Sequence, residues 1–202
     1  MMEQRPLRIV ELFQSLQGEG ANSGRLMIFI RLTGCNLRCD FCDTAFDRVE
    51  MECTPEELLE EIERRFPNCK NLLWTGGEPT LQLTEEVVDF FKSAGYWQAL
   101  ESNGLVPAPR GLDYITLSPK VKWDKVTENY HDRVVGELRF PIAKGNPLPE
   151  IERLPKAIHY YLSPIFDGDS VVAENIGYCQ QLIEEDPRWS LSLQMHKLIG
   201  IR

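Results

Sequence analysis

Three of the six cysteines fall within eight residues, in the segment Gly34-Cys35-Asn36-Leu37-Arg38-Cys39-Asp40-Phe41-Cys42. Thiolates are the protein ligands of iron–sulfur clusters, and a cube whose four irons are all held by protein needs four of them. Three on one short C-x3-C-x2-C loop can wrap one face of a cube and leave the fourth iron open to another ligand. The alternative is a zinc knot completed by Cys53, Cys69 or a histidine. Zinc sites usually combine two separated pairs, and the chain has no second C-x2-C. The spacing therefore favours a cluster. Cys53, Cys69 and Cys179 carry no such pattern and read as small apolar fillers or partly exposed thiols.

A second segment, Gly76-Gly77-Glu78-Pro79, has a different chemistry. Paired glycines let a ligand approach the backbone closely and leave peptide carbonyls free to accept. Beside a carboxylate, such an edge suits an ammonium group better than a phosphate. A tight turn ahead of a helix is the plainer reading, although it needs only one glycine.

Both segments need elements to position them. Arg25–Leu32 is mostly apolar and ends at Thr33-Gly34, so it reads as a buried strand feeding the cysteine loop. Thr54-Pro55-Glu56-Glu57 opens a helix as a capping box, with Leu58, Leu59, Ile62 and Phe66 on its apolar face. Asn71–Thr75 is a second strand running into the glycine turn, and Thr84–Ser93 a second helix. Further strands are expected at Trp97–Leu100, Tyr114–Leu117, Gly136–Phe140, Ala157–Leu162 and Trp189–Leu193, with a helix at Val171–Glu184. Segments 101–113 and 141–156 are rich in Pro and Gly and read as loops. The alternation predicts an α/β fold with a mainly parallel sheet. Eight complete βα units need roughly 250 residues, so at 202 residues a barrel is an incomplete, partial βα barrel. In such folds sites form at the C-terminal ends of strands, which brings the cysteine loop and the glycine turn to one cavity.

Composition narrows the class. A chain of 202 residues with 43% apolar and 26% charged content is an ordinary globular domain, with no repeat and no low-complexity tract. No window approaches the roughly 18 apolar residues of a membrane span. The opening MMEQRPLR lacks an apolar stretch, which leads to the expectation of a cytoplasmic protein. A net charge of −9 argues against general nucleic-acid or anionic-membrane binding.

On these motifs the chain resembles the radical S-adenosylmethionine (SAM) superfamily: C-x3-C-x2-C after a strand, Phe41 before the third cysteine, and a Gly-Gly-Glu-Pro turn after the next strand. Within it, several segments closely resemble the 7-carboxy-7-deazaguanine synthase family. They are Glu11–Gly20, Phe29–Leu32, Cys42–Thr44, Thr75–Pro79, Glu101–Gly104, Ser118–Lys120 and the tail around Gln194–Lys197. The matches follow family order along nearly the whole chain. The resemblance implies a pared-down partial barrel, a 4Fe-4S cluster, SAM, a magnesium ion, a homodimer and a flavodoxin-like or other low-potential reductant. It implies ring contraction of 6-carboxy-5,6,7,8-tetrahydropterin to 7-carboxy-7-deazaguanine with loss of ammonia, on the path to queuosine or other 7-deazapurines. In that chemistry a 5′-deoxyadenosyl radical takes a hydrogen from C6 and later returns it, regenerating SAM.

Residue by residue, the resemblance assigns Cys35, Cys39 and Cys42 to the cluster and Thr44 to magnesium. It assigns Leu16, Gln17, Gly18, Arg31, Thr75 and His196 to the substrate. Phe41, Cys42, Asp43, Gly77, Ser102, Ser118, Pro119 and Lys120 are assigned to the SAM pocket. A guanidinium can pair a carboxylate bidentately, which suits Arg31, and a hydroxyl oxygen suits a hard cation, which suits Thr44. Each has a plainer alternative: Arg31 as a strand end in solvent, Thr44 as a turn residue, Glu19 as loop punctuation, His196 as a packed side chain. The chain departs from many relatives at Ser163-Pro164, where they place Gln-Pro, so SAM contacts from that strand are not carried over. One radical SAM domain over 1–202, with its cluster loop at 33–46, is the expected organisation. A glycyl-radical activase and a non-enzymatic metal-binding module are the competing functions.

Overall fold

The computed structural model describes residues 5–201. The expectations that touch Met1–Gln4 and Arg202 lie outside them. A nine-stranded sheet runs in the order β3-β1-β2-β4-β5-β6-β7-β8-β9. Its strands are β1 (Leu7–Leu16), β2 (Leu26–Leu32), β3 (Met51–Cys53), β4 (Asn71–Gly76), β5 (Trp97–Ser102), β6 (Tyr114–Leu117), β7 (Val135–Ile142), β8 (Ala157–Pro164) and β9 (Ser190–Leu191). From β2 to β9 every pairing is parallel. β1 pairs antiparallel with both β2 and β3. β3 and β9 lie at opposite edges, so the expected partial barrel is an open one.

Helices α1 (Pro55–Arg65), α2 (Glu85–Ser93), α3 (Trp123–Asn129), α4 (Ala173–Glu185) and α5 (Met195–Ile199) complete the chain. The Thr54 box closes as expected: Glu57 N–H donates to the Thr54 hydroxyl and Thr54 N–H to the Glu57 carboxylate. No α-helix joins β5 to β6; the Pro/Gly-rich segment does so as a loop. Four elements lie outside the sequence expectations: β1, the three-residue β3, α3 and the five-residue α5. β1 hides because its apolar residues do not alternate cleanly, and α3 because it is short and starts after Lys122 in the left-handed region (φ 53°).

Alternation along the strands (period two) divides the sheet into two faces. Ile28, Ile30 and Leu32 of β2, Leu72 and Trp74 of β4, Leu100 of β5 and Leu138 and Phe140 of β7 belong to the main core. The opposite face begins apolar with Met27, Leu73 and Ala99. It ends polar, with Arg31 opposite Thr75, then Glu101 and Arg139 near the strand ends. That polar end is where the cysteine loop and glycine turn emerge.

One polar side chain lies inside the core. Gln98 is fully buried. Its Oε1 accepts from Trp74 Nε1 at 3.0 Å and its Nε2 donates to the Val88 carbonyl at 2.8 Å, tying β4 and β5 to α2. Gln98→Leu strands both partners, and an unsatisfied buried group costs about 1–3 kcal/mol. A fall of at least that size in urea-unfolding free energy is expected, and an unchanged midpoint would contradict this role.

Candidate active site

The cysteine loop leaves β2 by crossing the glycine turn that leaves β4, and the two chains touch backbone to backbone. Gly77 N–H donates to the Leu32 carbonyl (3.1 Å) and Glu78 N–H to the Gly34 carbonyl (2.8 Å). A Cβ on Gly77 would stand 2.0 Å from Gly34 O, and one on Gly76, whose φ is 137°, 2.2 Å from Leu32 O. Both glycines are therefore required by this crossing, and a simple tight turn does not account for the second. The sequence reading gave the close approach to a ligand; here the approaching group is the cluster loop itself.

Glu78 also corrects an expectation. It is completely buried; Oε1 accepts from Thr80 N–H, the Thr80 hydroxyl and the Ser102 hydroxyl, and Oε2 from Asn103 N–H. All four bonds run to the protein and Glu78 does not line the cavity, so it is not placed as the carboxylate beside an incoming ammonium group. It locks the turn to the end of β5 instead. Asn103 Nδ2 then donates to Asn36 Oδ1 at 2.7 Å, fastening the cluster loop to the same strand end.

Above these contacts lies a cavity of about 730 Å³. Cys35, Cys39 and Cys42 line one wall, with Phe41, Asp43 and Thr44 beside them. Gly77, Ser102, Ser118 and Lys120 follow from the ends of β4, β5 and β6. Leu16, Gln17 and Gly18 enter from β1, Arg31 from β2, Thr75 from β4 and His196 from α5. Of the residues singled out in the sequence, Pro119 does not line the cavity; it is buried between Ser118 and Lys120, where it shapes the turn. Ser163 and Pro164 also reach the cavity.

Among the described residues, no three His, Cys, Asp or Glu side chains close on one point fit for a single metal ion. Three thiolates on a cube each meet a different iron, so they need only line one side of a sufficient space. The three thiols do so and feel each other's charge. The donor set therefore fits the cluster. Burial pushes the Cys35 and Cys39 thiols up, so ligation must displace their protons.

Arg31 Nε pairs with Glu11 at 3.2 Å, and its Nη1 lies 3.4 Å from Thr44 Oγ1. The plain reading of Arg31 as a solvent-facing strand end fails. Thr44 donates to Asp43 Oδ1 at 3.3 Å. This is a sparse oxygen set; a magnesium ion held here would complete its shell with water and substrate, as magnesium commonly does. Opposite, Lys197 Nζ meets Asp43 Oδ2 at 2.6 Å, Met195 N–H donates to the Gly18 carbonyl, and the His196 ring packs on Gly18. Burial lowers the His196 pKa, which favours the neutral imidazole.

Several cavity residues were missed. Glu101, Arg139 and Lys197 carried no assignment, and Glu19 was left open. A signal existed for two of them: a charge at an inward position of an otherwise apolar strand, as in Trp97–Ser102 and Val135–Ile142, has no place in a core. Lys197 had no such signal, because its partner lies 154 residues away.

A three-cysteine loop and a glycine turn meeting at the strand ends of an open α/β sheet define a radical SAM enzyme, and the radical SAM superfamily model matches residues 29–126. Curated 7-carboxy-7-deazaguanine synthases are similar to the chain over 96% of its length: 41% identity for that of Haemophilus influenzae and 38% for that of Neisseria meningitidis, each covered to 93%, and 37% for that of Bacteroides thetaiotaomicron, covered to 98%. The fold matches the crystal structure of QueE from Escherichia coli with a TM-score of 0.71 over 95% of each chain, at 23% identity. The chain belongs to the 7-carboxy-7-deazaguanine synthase family. That family's cofactors are a 4Fe-4S cluster, SAM and magnesium, and membership displaces both the activase and the metal-module alternatives.

Gly77→Ala forces its methyl into the Gly34 peptide, which cannot yield cheaply. Anaerobically reconstituted Gly77→Ala should hold less than half the iron of the parent with folded-state circular dichroism retained. Full iron content would mean that the two loops part without consequence.

Proposed function

We propose that this chain contracts 6-carboxy-5,6,7,8-tetrahydropterin to 7-carboxy-7-deazaguanine, releasing ammonia, as a step toward queuosine or related 7-deazapurines. The observation that carries the reading is the neighbourhood of Arg31 and Thr44. A carboxylate that pairs with the guanidinium meets, 3.4 Å away, the hydroxyl oxygen offered to magnesium. One subsite thus suits a carboxylated substrate and the hard cation that would bind it.

Cys35, Cys39 and Cys42 would hold the cluster, and Phe41, Asp43, Gly77, Ser102, Ser118 and Lys120 the SAM. When bound, these cofactors supply reductive cleavage of SAM and hence hydrogen-atom abstraction. The chain does the rest. Arg31 orients the carboxylate, Gln17 and Gly18 give polar contacts along the substrate, Thr75 lies opposite Arg31 in register, and His196 closes one side. The proposal extends to a homodimer working in the cytoplasm with a flavodoxin-like or other low-potential reductant. Among the described residues no helix is long and apolar enough to cross a membrane, and the net charge of −9 does not favour nucleic acid.

The test is anaerobic turnover: protein reconstituted with iron and sulfide, then dithionite, SAM, magnesium and the carboxypterin, read by mass spectrometry. Carboxydeazaguanine with SAM recovered is the expected result. Release of 5′-deoxyadenosine without that product would reopen the substrate. Cys39→Ala should lose cluster and SAM cleavage together; full activity would sink the cluster assignment. Thr44→Ala should keep the cluster and blunt the response of rate to magnesium, and an unaltered response would place the ion elsewhere.

A further inference from the structure

Arg139 of β7 is a buried cation that the proposed reaction does not yet use. Its side chain is 5% exposed and faces carboxylates from three separate elements. Nη1 lies 3.2 Å from Glu19 Oε2 and 3.4 Å from Glu137 Oε1, and Nη2 lies 2.7 Å from Glu101 Oε1. Four charges gathered this deep need mutual pairing, since desolvation otherwise outweighs attraction.

The three carboxylates are not equivalent. Glu137 serves the scaffold: its Oε2 accepts from Ala21 N–H at 3.0 Å and from the Tyr114 hydroxyl at 3.4 Å. Gly20 lies flat on it, so that a Cβ there would stand 2.2 Å from each carboxylate oxygen. Glu19 and Glu101 line the cavity instead. Each turns one oxygen to Arg139, while Gln17 Nε2 adds a bond to Glu101 Oε1 at 2.9 Å. Their other oxygens, Glu19 Oε1 and Glu101 Oε2, accept no hydrogen bond from the described residues. Burial lifts Glu19 above the usual carboxylate range; burial acts the same way on Glu101, but Arg139 and Gln17 bring it below.

We propose that Arg139 is a positioning residue of the substrate pocket: its fork fixes Glu19 and Glu101 side by side, so that one oxygen of each is presented to N–H donors on the ring edge of the substrate. This rests on the pterin reading, because a 2-amino-4-oxo ring carries adjacent N–H donors and an electron-rich carbonyl edge would be repelled. The guanidinium is the group that can do this. Its planar fork spans two carboxylates at once, whereas a lysine ammonium is a single point charge.

The experiment compares the reconstituted parent with Arg139→Lys and Arg139→Gln, each checked for iron content and cluster absorbance. KM is measured for the carboxypterin and for SAM, and kcat/KM for the carboxypterin against its 2-desamino analogue. KM for the pterin should rise at least tenfold in Arg139→Gln and less in Arg139→Lys, with KM for SAM within twofold of the parent. The parent should disfavour the desamino analogue at least tenfold, and that penalty should shrink in both variants. A residue that only supports the fold would not change this selectivity. An unchanged pterin KM, an equal rise in both KM values, or an undiminished desamino penalty overturns the proposal. If Arg139→Gln does not hold its cluster, Arg139→Lys decides by the same measures. A parent inert toward the carboxypterin would instead refute the functional reading, and that outcome is visible before any variant is compared.

Discussion

The contact on which the rest of the site depends is a crossing of two backbones. Where Gly76-Gly77 lies against Leu32–Cys35, no side-chain atom fits between the chains, and the two loops share hydrogen bonds as neighbouring strands do. The cysteine loop has little structure of its own; what places it is this parallel pairing of β2 and β4 carried past the strand ends. Glu78 extends the same connection to β5 through Ser102 and Asn103. Three neighbouring strand ends are thereby made into one rim from which the three-cysteine loop hangs.

The rim supports a cavity of two halves. On the cysteine side the groups are thiols, backbone and small polar side chains. On the other side charges are packed densely around Arg139. The loop between β1 and β2 crosses the mouth and is bound at several points: Gln17 to Glu101, Glu19 to Arg139, Gly20 to the Ser192 hydroxyl and Ala21 to Glu137. A segment with no more regular structure than the short 3-10 turn Gly20–Asn22 is in this way held to β5, β7 and the residue that follows β9. Preorganisation of that kind lets polar groups be used on a ligand without the cost of ordering them first.

What the sequence discloses follows from the range of the interactions. The cysteine loop, the capping box at Thr54 and the strand Tyr114–Leu117 depend on residues adjacent in the chain, and all were legible. Glu78 was legible as a special residue but not in its direction, because whether a carboxylate faces a cavity or the core is decided by Ser102 and Asn103, far along the chain. β1 was missed for a related reason. It is the antiparallel strand in a pattern of parallel ones, and its partners decide its place. Lys197 was out of reach altogether, since nothing near it in sequence announces Asp43. Composition and spacing led as far as a cluster and a partial barrel; the word pterin came from resemblance.

The tail contacts give the molecule an order of assembly in time. Met195, His196 and Lys197 fasten loops that include Gly18 and Asp43, and Lys197 follows Asp43 by 154 residues. At roughly 5–20 residues per second of synthesis, a growing chain carries its three thiols for on the order of ten seconds before the group that pins their loop exists. During that interval the cavity lacks the side that the tail supplies. The tail is thus a clock as well as a clasp: whatever delivers iron and sulfide to this protein finds the finished geometry only once β9 and α5 have been made.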